Sequence, residues 1–206
     1  VNDTWQNAII KIKRQFLYEN GGGISINHPV WSQLSEQLVL DMLDFDPVVL
    51  GIEIYNQDCE EWNNKGWGLT LWDTILKTGR RCFGFAVPDH YAEYENGQNW
   101  NGTIKILVPE ATQENCLKAI RNGAFYCQIN HTDFALSNLK YENNVATISV
   151  SKSATIKAVI NGEIAKTVTG TELSIEIPDD AVYVRFEAST DDDAIYTNPI
   201  MFRVRV

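Results

Sequence analysis

Hydrophobic positions at the start of the chain recur with the spacing of one face of a helix. The apolar residues of this stretch are Trp5, Ile9, Ile12 and Phe16, at steps of four, three and four. Such steps place side chains on one stripe of an α-helix. Three glycines follow at 21–23, and because glycine tolerates the left-handed backbone of a helix C-terminus, we expect the helix to end before them.

Short apolar runs then alternate with helical patterns as far as about residue 130. The predicted strands are 24–26, 48–55, 82–87, 104–108 and 125–129, and the predicted helices between them are 32–43, 69–77 and 112–122. Strands that are apolar on both faces and alternate with helices of about ten residues favour parallel pairing, with the helices outside. The pattern therefore predicts an α/β fold, the later part of a distorted β/α barrel.

Beyond residue 132 the hydrophobic period changes to two. Alternating segments at 145–150, 155–160, 172–177 and 182–186 are separated by turn residues such as Asn161-Gly162. This pattern is typical of a small antiparallel sandwich. We therefore predict two domains, a β/α barrel portion at 1–132 and an immunoglobulin-like β-sandwich at 133–206, which pack together because no flexible linker separates them.

Composition narrows the classes of partner. The net charge is −10 and the isoelectric point about 4.7, which disfavours nucleic acid because the protein repels phosphate backbones. The four cysteines form no C-x-x-C pair, so reduced thiols are expected. The sequence has no membrane-spanning stretch or signal peptide and predicts a cytoplasmic protein; because residue 1 is Val, an exported form whose leader was removed is the alternative.

All three histidines follow the ends of predicted strands. They are His28, His90 and His131; Asp89 precedes His90, and Glu53 and Asn56 lie in and just after another strand. The carboxyl ends of parallel strands form the active-site face of α/β folds. Imidazole and carboxylate groups that converge there can bind Zn, Mn or Fe. The alternative is that each histidine is an ordinary polar residue of a loop.

Three strings resemble, in order and spacing, the later motifs of the polymerase-and-histidinol-phosphatase (PHP) superfamily, and a fourth resembles the segment by which one branch of it leaves the barrel. They are "GGGISINHPVW", "GIEIYN", "WDTILKTGRRCFGFAVPDH" and "TIKILVPEATQENCLKAIRNGAFYCQ". A β-sandwich tail also resembles the module that succeeds the barrel in one branch of this superfamily. The resemblance implies a metal-dependent phosphoesterase that acts on a small phosphorylated substrate with two or three divalent cations (Zn, Mn or Fe), which activate a water and neutralise charge on the phosphoryl group.

The resemblance also assigns residues. His28 matches the histidine of the His-Pro motif and His90 the histidine that closes the last motif, both metal ligands in the family. Asp89 becomes a ligand if the loop shifts by one residue. Glu53 and Asn56 match the mouth of the barrel, either as ligands or as residues that orient ligands or contact substrate. No residue is assigned a catalytic role.

Two departures from the family pattern leave activity open. Residues 1–27 supply none of the ligands that the family carries before the His-Pro motif, and Pro88 stands where the last motif has an aspartate. We expect this chain alone to be inactive and the full-length protein to be a hydrolase. The alternatives are an inactive scaffold or a binding module that uses the β-sandwich, and a barrel completed by self-association or by a companion N-terminal segment.

Other candidate residues have plainer explanations. Trp62, Trp67, Trp72 and Trp100 could line a pocket for a ring-bearing substrate, but packing on the barrel wall is favoured. Arg80 and Arg81 could meet a phosphate, but a solvated or helix-dipole role is favoured. His131 could reach the mouth of the barrel, but a hydrogen bond between the two modules is favoured.

Overall fold

A computed structural model describes residues 4–17, 21–89, 101–130 and 133–204. The helices are α1 (Trp5–Phe16), α2 (Glu36–Phe45), α3 (Gln57–Asn63), α4 (Leu69–Lys77) and α5 (Gln113–Asn122). The strands are β1 (Ile24–Ile26), β2 (Val49–Asn56), β3 (Phe83–Val87), β4 (Thr103–Ile106), β5 (Phe125–Ile129), β6 (Leu136–Glu142), β7 (Val145–Ile160), β8 (Glu163–Glu176), β9 (Tyr183–Ser189), β10 (Ala194–Thr197) and β11 (Ile200–Met201). No helix among these residues is long and apolar enough to cross a membrane. His90, Trp100 and His131 lie outside the described residues.

Hydroxyl side chains set the starts of three helices. The side chains of Thr4, Ser35 and Thr112 accept hydrogen bonds from backbone N–H groups in the first turns of α1, α2 and α5, which otherwise have no partner within the helix. Gly123 ends α5 with φ 73°, the left-handed cap expected of glycine at this position.

The first sheet is small and parallel. Its order is β1-β2-β3, with Ile26 opposite Ile52 and Gly51 opposite Phe83. Every residue of β2 is buried, because α2 and α4 pack on the sheet and share a hydrophobic core with it that includes Val39, Trp72 and Leu76. This sheet is the part of the predicted α/β pattern that the structure contains.

The barrel prediction is wrong. The segments predicted at 104–108 and 125–129 form β4 and β5, which pair antiparallel with each other instead of joining the parallel sheet. They belong to an eight-stranded antiparallel sheet with main order β4-β5-β10-β9-β7-β6, so the described residues form no β/α barrel. The apolar run at 125–129 led to a wrong prediction because both faces of β5 are buried. On one face Cys127 belongs to the core shared with the parallel sheet, and on the other Tyr126 belongs to the core of the antiparallel sheet.

The antiparallel sheet is a curled half-barrel rather than the predicted immunoglobulin-like sandwich. The 16-residue strand β7 pairs with β6 through its first half and with β9 through its second half, while β8 follows it along the other edge. The buried residues of the antiparallel sheet, among them Ile148, Ile156 and Phe186, form a second hydrophobic core. This sheet includes strands from both sides of residue 132, and the division into domains 1–132 and 133–206 remains a prediction.

Polar contacts fix the two sheets against each other. Asn198 accepts a hydrogen bond from the backbone N–H of Gly84 in β3 (2.9 Å) and donates one to the carbonyl of Phe125 in β5 (3.1 Å). On α4, Asp73 accepts two hydrogen bonds from the guanidinium of Arg185 in β9 (2.8 and 2.7 Å) and one from the hydroxyl of Tyr183 (2.7 Å). The position of the parallel sheet therefore depends on the antiparallel sheet behind it.

Candidate functional site

Three strand ends bring the predicted site residues to one edge of the parallel sheet. His28 follows β1 by two residues, Asn56 is the last residue of β2, and Asp89 follows β3 by two residues. Because the three strands run parallel, their carboxyl ends lie side by side. His28 and Asp89 line one cavity of about 420 Å³.

Asn56 connects the two carboxylates of the site. Its side chain is completely buried, and its Nδ2 group donates to Glu53 Oε2 (2.9 Å) and to Asp89 Oδ2 (2.7 Å). Its Oδ1 accepts from the backbone N–H of Cys59 (2.9 Å) and thereby caps α3. An amide has two N–H donors and an acceptor oxygen, so all three bonds can form together.

Glu53 holds the loop that follows β1. Its Oε2 also accepts from the backbone N–H of His28 at 2.6 Å, and the residue is 2% exposed. Burial raises the pKa of Glu53 above its ordinary value and outweighs the opposing hydrogen bonds from Asn56 and His28, while the charge of Asp89 raises it further. Whether Glu53 and Asn56 act as ligands, orient ligands or contact substrate remains a prediction.

The His28 ring is held by two neighbours. Its Nδ1 forms a hydrogen bond with Ser32 Oγ (2.8 Å), and the ring lies edge-to-face with Trp31 at 5.2 Å between centroids. The bond at Nδ1 leaves Nε2 as the ring nitrogen that could bind a metal, an arrangement that metal-binding histidines commonly show.

Both loops at this edge have unusual backbone conformations. His28 has φ 33° and Asp89 has φ 52°, values that side-chain-bearing residues rarely adopt and that cluster at functional sites. The described residues hold no group of three or more His, Cys, Asp or Glu side chains arranged to bind a metal ion, and the ligand roles of His28, Asp89 and His90 remain predictions.

Helix α3 supplies the other wall of the cavity. Asp58, Cys59, Glu61 and Trp62 line it together with Trp31. Sequence reasoning missed this helix and its acidic residues, although Asn56 followed by Asp58 and Glu60 is the polar and acidic pattern that favours a helix start. Burial raises the pKa of the Cys59 thiol to about 11, helped by the charges of Asp89, Glu53 and Asp58, so this thiol is not an activated nucleophile.

The tryptophans grouped together in the sequence have different surroundings. Trp72 is fully buried and its Nε1 donates to the carbonyl of Cys82 (2.9 Å). Trp67 packs against Tyr55 and Tyr196. Trp62 is 77% exposed, lines the cavity and stacks on Trp31 with 6.1 Å between ring centroids.

Arg80 and Arg81, for which a solvated or helix-dipole role was favoured over a phosphate contact, interact with a neighbouring carboxylate, a backbone carbonyl and an aromatic ring. The guanidinium of Arg80 donates two hydrogen bonds to the carboxylate of Asp44 (2.7 and 2.6 Å). Arg81 donates to the carbonyl of Pro47 and lies over the ring of Phe83. Neither arginine lines the cavity.

No protein-family model, curated protein or solved structure matches this chain.

Proposed function

We propose that the chain carries part of the metal and substrate site of a hydrolase of the PHP phosphoesterase type. In this proposal His28, Asp89 and His90 bind divalent cations, Zn, Mn or Fe. The observation that carries the proposal is the Asn56 bridge, which holds Glu53 and Asp89 beside His28 where three parallel strands end.

The chemistry of the described donors fits such a cation. Imidazole nitrogen and carboxylate oxygen suit Zn, Mn and Fe, and the bond between His28 Nδ1 and Ser32 leaves Nε2 for the metal. A bound cation would lower the pKa of a water and offset negative charge on a phosphoryl group.

The described residues have defined roles in this proposal. Glu53 fixes the backbone at His28, and Asn56 orients the Asp89 carboxylate. During hydrolysis the oxygen of a water bonds to phosphorus, the ester P–O bond breaks, and the alcohol leaves with a proton.

The acidic wall makes phosphate binding depend on the cation. Asp58, Glu61 and Asp89 all line the cavity, and like charges at close range repel a phosphate. A cation reverses the sign of the local field. We therefore expect no affinity for phosphate without metal and measurable affinity with it.

Calorimetric titration of the chain with Mn²⁺ tests the proposal. His28→Ala and Asp89→Asn should each weaken Mn²⁺ binding by tenfold or more, on the order expected for changes at or next to a ligand, and inorganic phosphate should bind only with Mn²⁺ present. Asp191→Asn, a change of an exposed carboxylate in the bend between β9 and β10, is the matched control and should bind as wild type. Equal Mn²⁺ affinity for wild type and His28→Ala would rule the proposal out.

One observation favours a second candidate, an inactive scaffold. Pro88, at the aspartate position of the resembling motif, offers only its carbonyl, which accepts from the N–H of Asp58 at 3.3 Å. In that case the same titration detects no stoichiometric Mn²⁺, while the protein remains folded by circular dichroism.

A further inference from the structure

Trp62 presents an indole to the candidate site. It is 77% exposed and lines the same cavity as His28 and Asp89. Removal of a large aromatic side chain from water is favourable, and its faces stack readily on other rings. Trp67 and Trp72 have packing partners that explain their positions, whereas burial in the core does not explain Trp62.

The position of this indole is set from two sides. Trp31 stacks on it with an interplanar angle of 29°, and Trp31 in turn contacts the His28 ring. The helix that carries Trp62 begins at Gln57 and is capped by Oδ1 of the preceding residue, Asn56. Asn56, which bonds to both Glu53 and Asp89, therefore also anchors the start of the helix that carries Trp62.

The charges beside Trp62 restrict what can stack there. On α3, Asp58 lies one turn before Trp62 and Glu61 is its neighbour in sequence. Both carboxylates line the cavity. Glu61 is held by a hydrogen bond from Gln57 Nε2 to its Oε1 (2.7 Å). Carboxylates accept hydrogen bonds and repel anions, so the ring should be uncharged or cationic rather than acidic.

We infer that Trp62, backed by Trp31, binds the ring of an aromatic phosphoester whose phosphoryl group lies at the His28 and Asp89 end of the cavity. The inference rests on the proposed function and adds the class of substrate. The cavity, about 420 Å³, falls within the roughly 300–1,000 Å³ of small-molecule sites. Trp62 is thus a residue that determines specificity.

Two non-hydrolysable probes test the inference by calorimetry in the presence of Mn²⁺. Phenylphosphonate carries a ring and methylphosphonate does not, while their phosphonate groups are alike. Wild type should bind phenylphosphonate about tenfold more tightly, in the range that stacking on an aromatic side chain contributes. Trp62→Ala should remove this preference, and Trp62→Phe should keep part of it because a smaller ring remains.

The control is Phe16→Ala, which removes an aromatic ring that is 71% exposed on α1 and does not line the cavity. It should retain the wild-type preference. The inference is overturned if wild type binds both phosphonates equally, or if Trp62→Ala keeps the preference; either result leaves metal-dependent phosphonate binding, and with it the proposed function, intact.

A metal-free titration with benzamide, an uncharged ring, separates the two proposals when neither phosphonate binds. If saturation transfer by NMR from the protein to benzamide is seen with wild type and disappears in Trp62→Ala, the stacking surface is supported. Only the proposed metal site is then contradicted. Transfer that is absent, or unchanged in Trp62→Ala, overturns the stacking surface as well.

Discussion

At the scale of single residues, Asn56 decides the geometry of the site. Two carboxylates near each other in a buried setting repel one another, and a cationic side chain between them would neutralise their charge. A neutral amide instead donates one N–H to each carboxylate, from Asn56 Nδ2 to Glu53 and to Asp89. Asn56 thereby stabilises the pair without neutralising it.

Replacement of Asn56 should destabilise the fold strongly. Asn56→Ala removes both bonds to the carboxylates and the cap of α3, and leaves buried Glu53 with one fewer donor; we expect a loss of about 3 kcal/mol in the free energy of unfolding. Urea unfolding followed by circular dichroism measures it. Asn122→Ala is the control: Asn122 is exposed and its side chain donates to the carbonyl of Lys118, and a loss within about 0.5 kcal/mol is expected. Equal losses in the two variants would contradict the role of Asn56.

The site residues were predictable where they follow strand ends. His28, Glu53, Asn56 and Asp89 were predicted from their positions after or within apolar runs. The structure places His28, Asn56 and Asp89 at one sheet edge, with Glu53 inside β2 and bonded to Asn56, while the predicted His90 lies outside the described residues. Asp58 and Glu61 were not predicted, because α3 spans only seven residues, Gln57–Asn63, and follows β2 without a loop. A helix of two turns leaves too few repeats for its period to be recognised.

At the scale of elements, β2 and β3 approach each other closely at one position. A Cβ atom placed on Gly51 would lie 1.8 Å from the carbonyl oxygen of Phe83, far inside any allowed contact. The pairing of Gly51 with Phe83 therefore requires glycine. The register of the two strands that carry Asn56 and lead to Asp89 depends on this contact.

Two alanine substitutions test this requirement. Gly51→Ala should lower the free energy of unfolding by about 3 kcal/mol, the upper range for overpacking, because a backbone carbonyl cannot move aside as a side chain can. Gly170→Ala in β8, where an added Cβ meets nothing within 4 Å, should change stability by less than about 0.5 kcal/mol. Denaturation midpoints in urea measure both. A well-tolerated Gly51→Ala would show that β2 and β3 lie farther apart.

The direction of strand pairing was the main error of prediction at this scale. The positions of β3, β4 and β5 were predicted to within a few residues. An apolar run, however, determines neither the strand with which it pairs nor the direction of the pairing. All five residues of β5 are buried, as a parallel barrel strand would be. Phe125 of β5 contacts Phe83 and Phe85 of β3 in the parallel sheet. The face of β5 that carries Phe125 is therefore buried by another sheet rather than by helices.

At the scale of the whole molecule, a buried ionic network joins the two sheets. Arg185 is 2% exposed and is held by Asp73 on α4, by Glu187 on β9, and by the ring of Trp72 at 5.1 Å. Burial opposes the charge of Arg185, but the two carboxylates outweigh it and raise the pKa of the guanidinium above its ordinary value. Positions 73 and 185 give no sign of this pairing in the sequence, because it depends on how the sheets pack.

Removal of Asp73 should therefore destabilise both sheets together. Asp73→Ala deprives the buried guanidinium of two hydrogen bonds, and we expect a loss of about 3 kcal/mol, as for other broken buried pairs. Asp44→Ala breaks the pair with Arg80 in which the carboxylate side chain is 52% exposed, and should cost less than about 1 kcal/mol. Tryptophan fluorescence and far-UV circular dichroism should report one shared unfolding transition. Two separate transitions for wild type would show that the sheets unfold independently.

The pairing of β5 with β10 also sets an order of events during synthesis. Phe125–Ile129 is bordered on one side by Thr103–Ile106 and on the other by Ala194–Thr197. The second partner leaves the ribosome more than sixty residues after β5 does. Until then β5, whose Phe125 packs on the strand leading to Asp89, has an open edge, so the packing behind the candidate site is complete only after nearly all of the described residues have been translated.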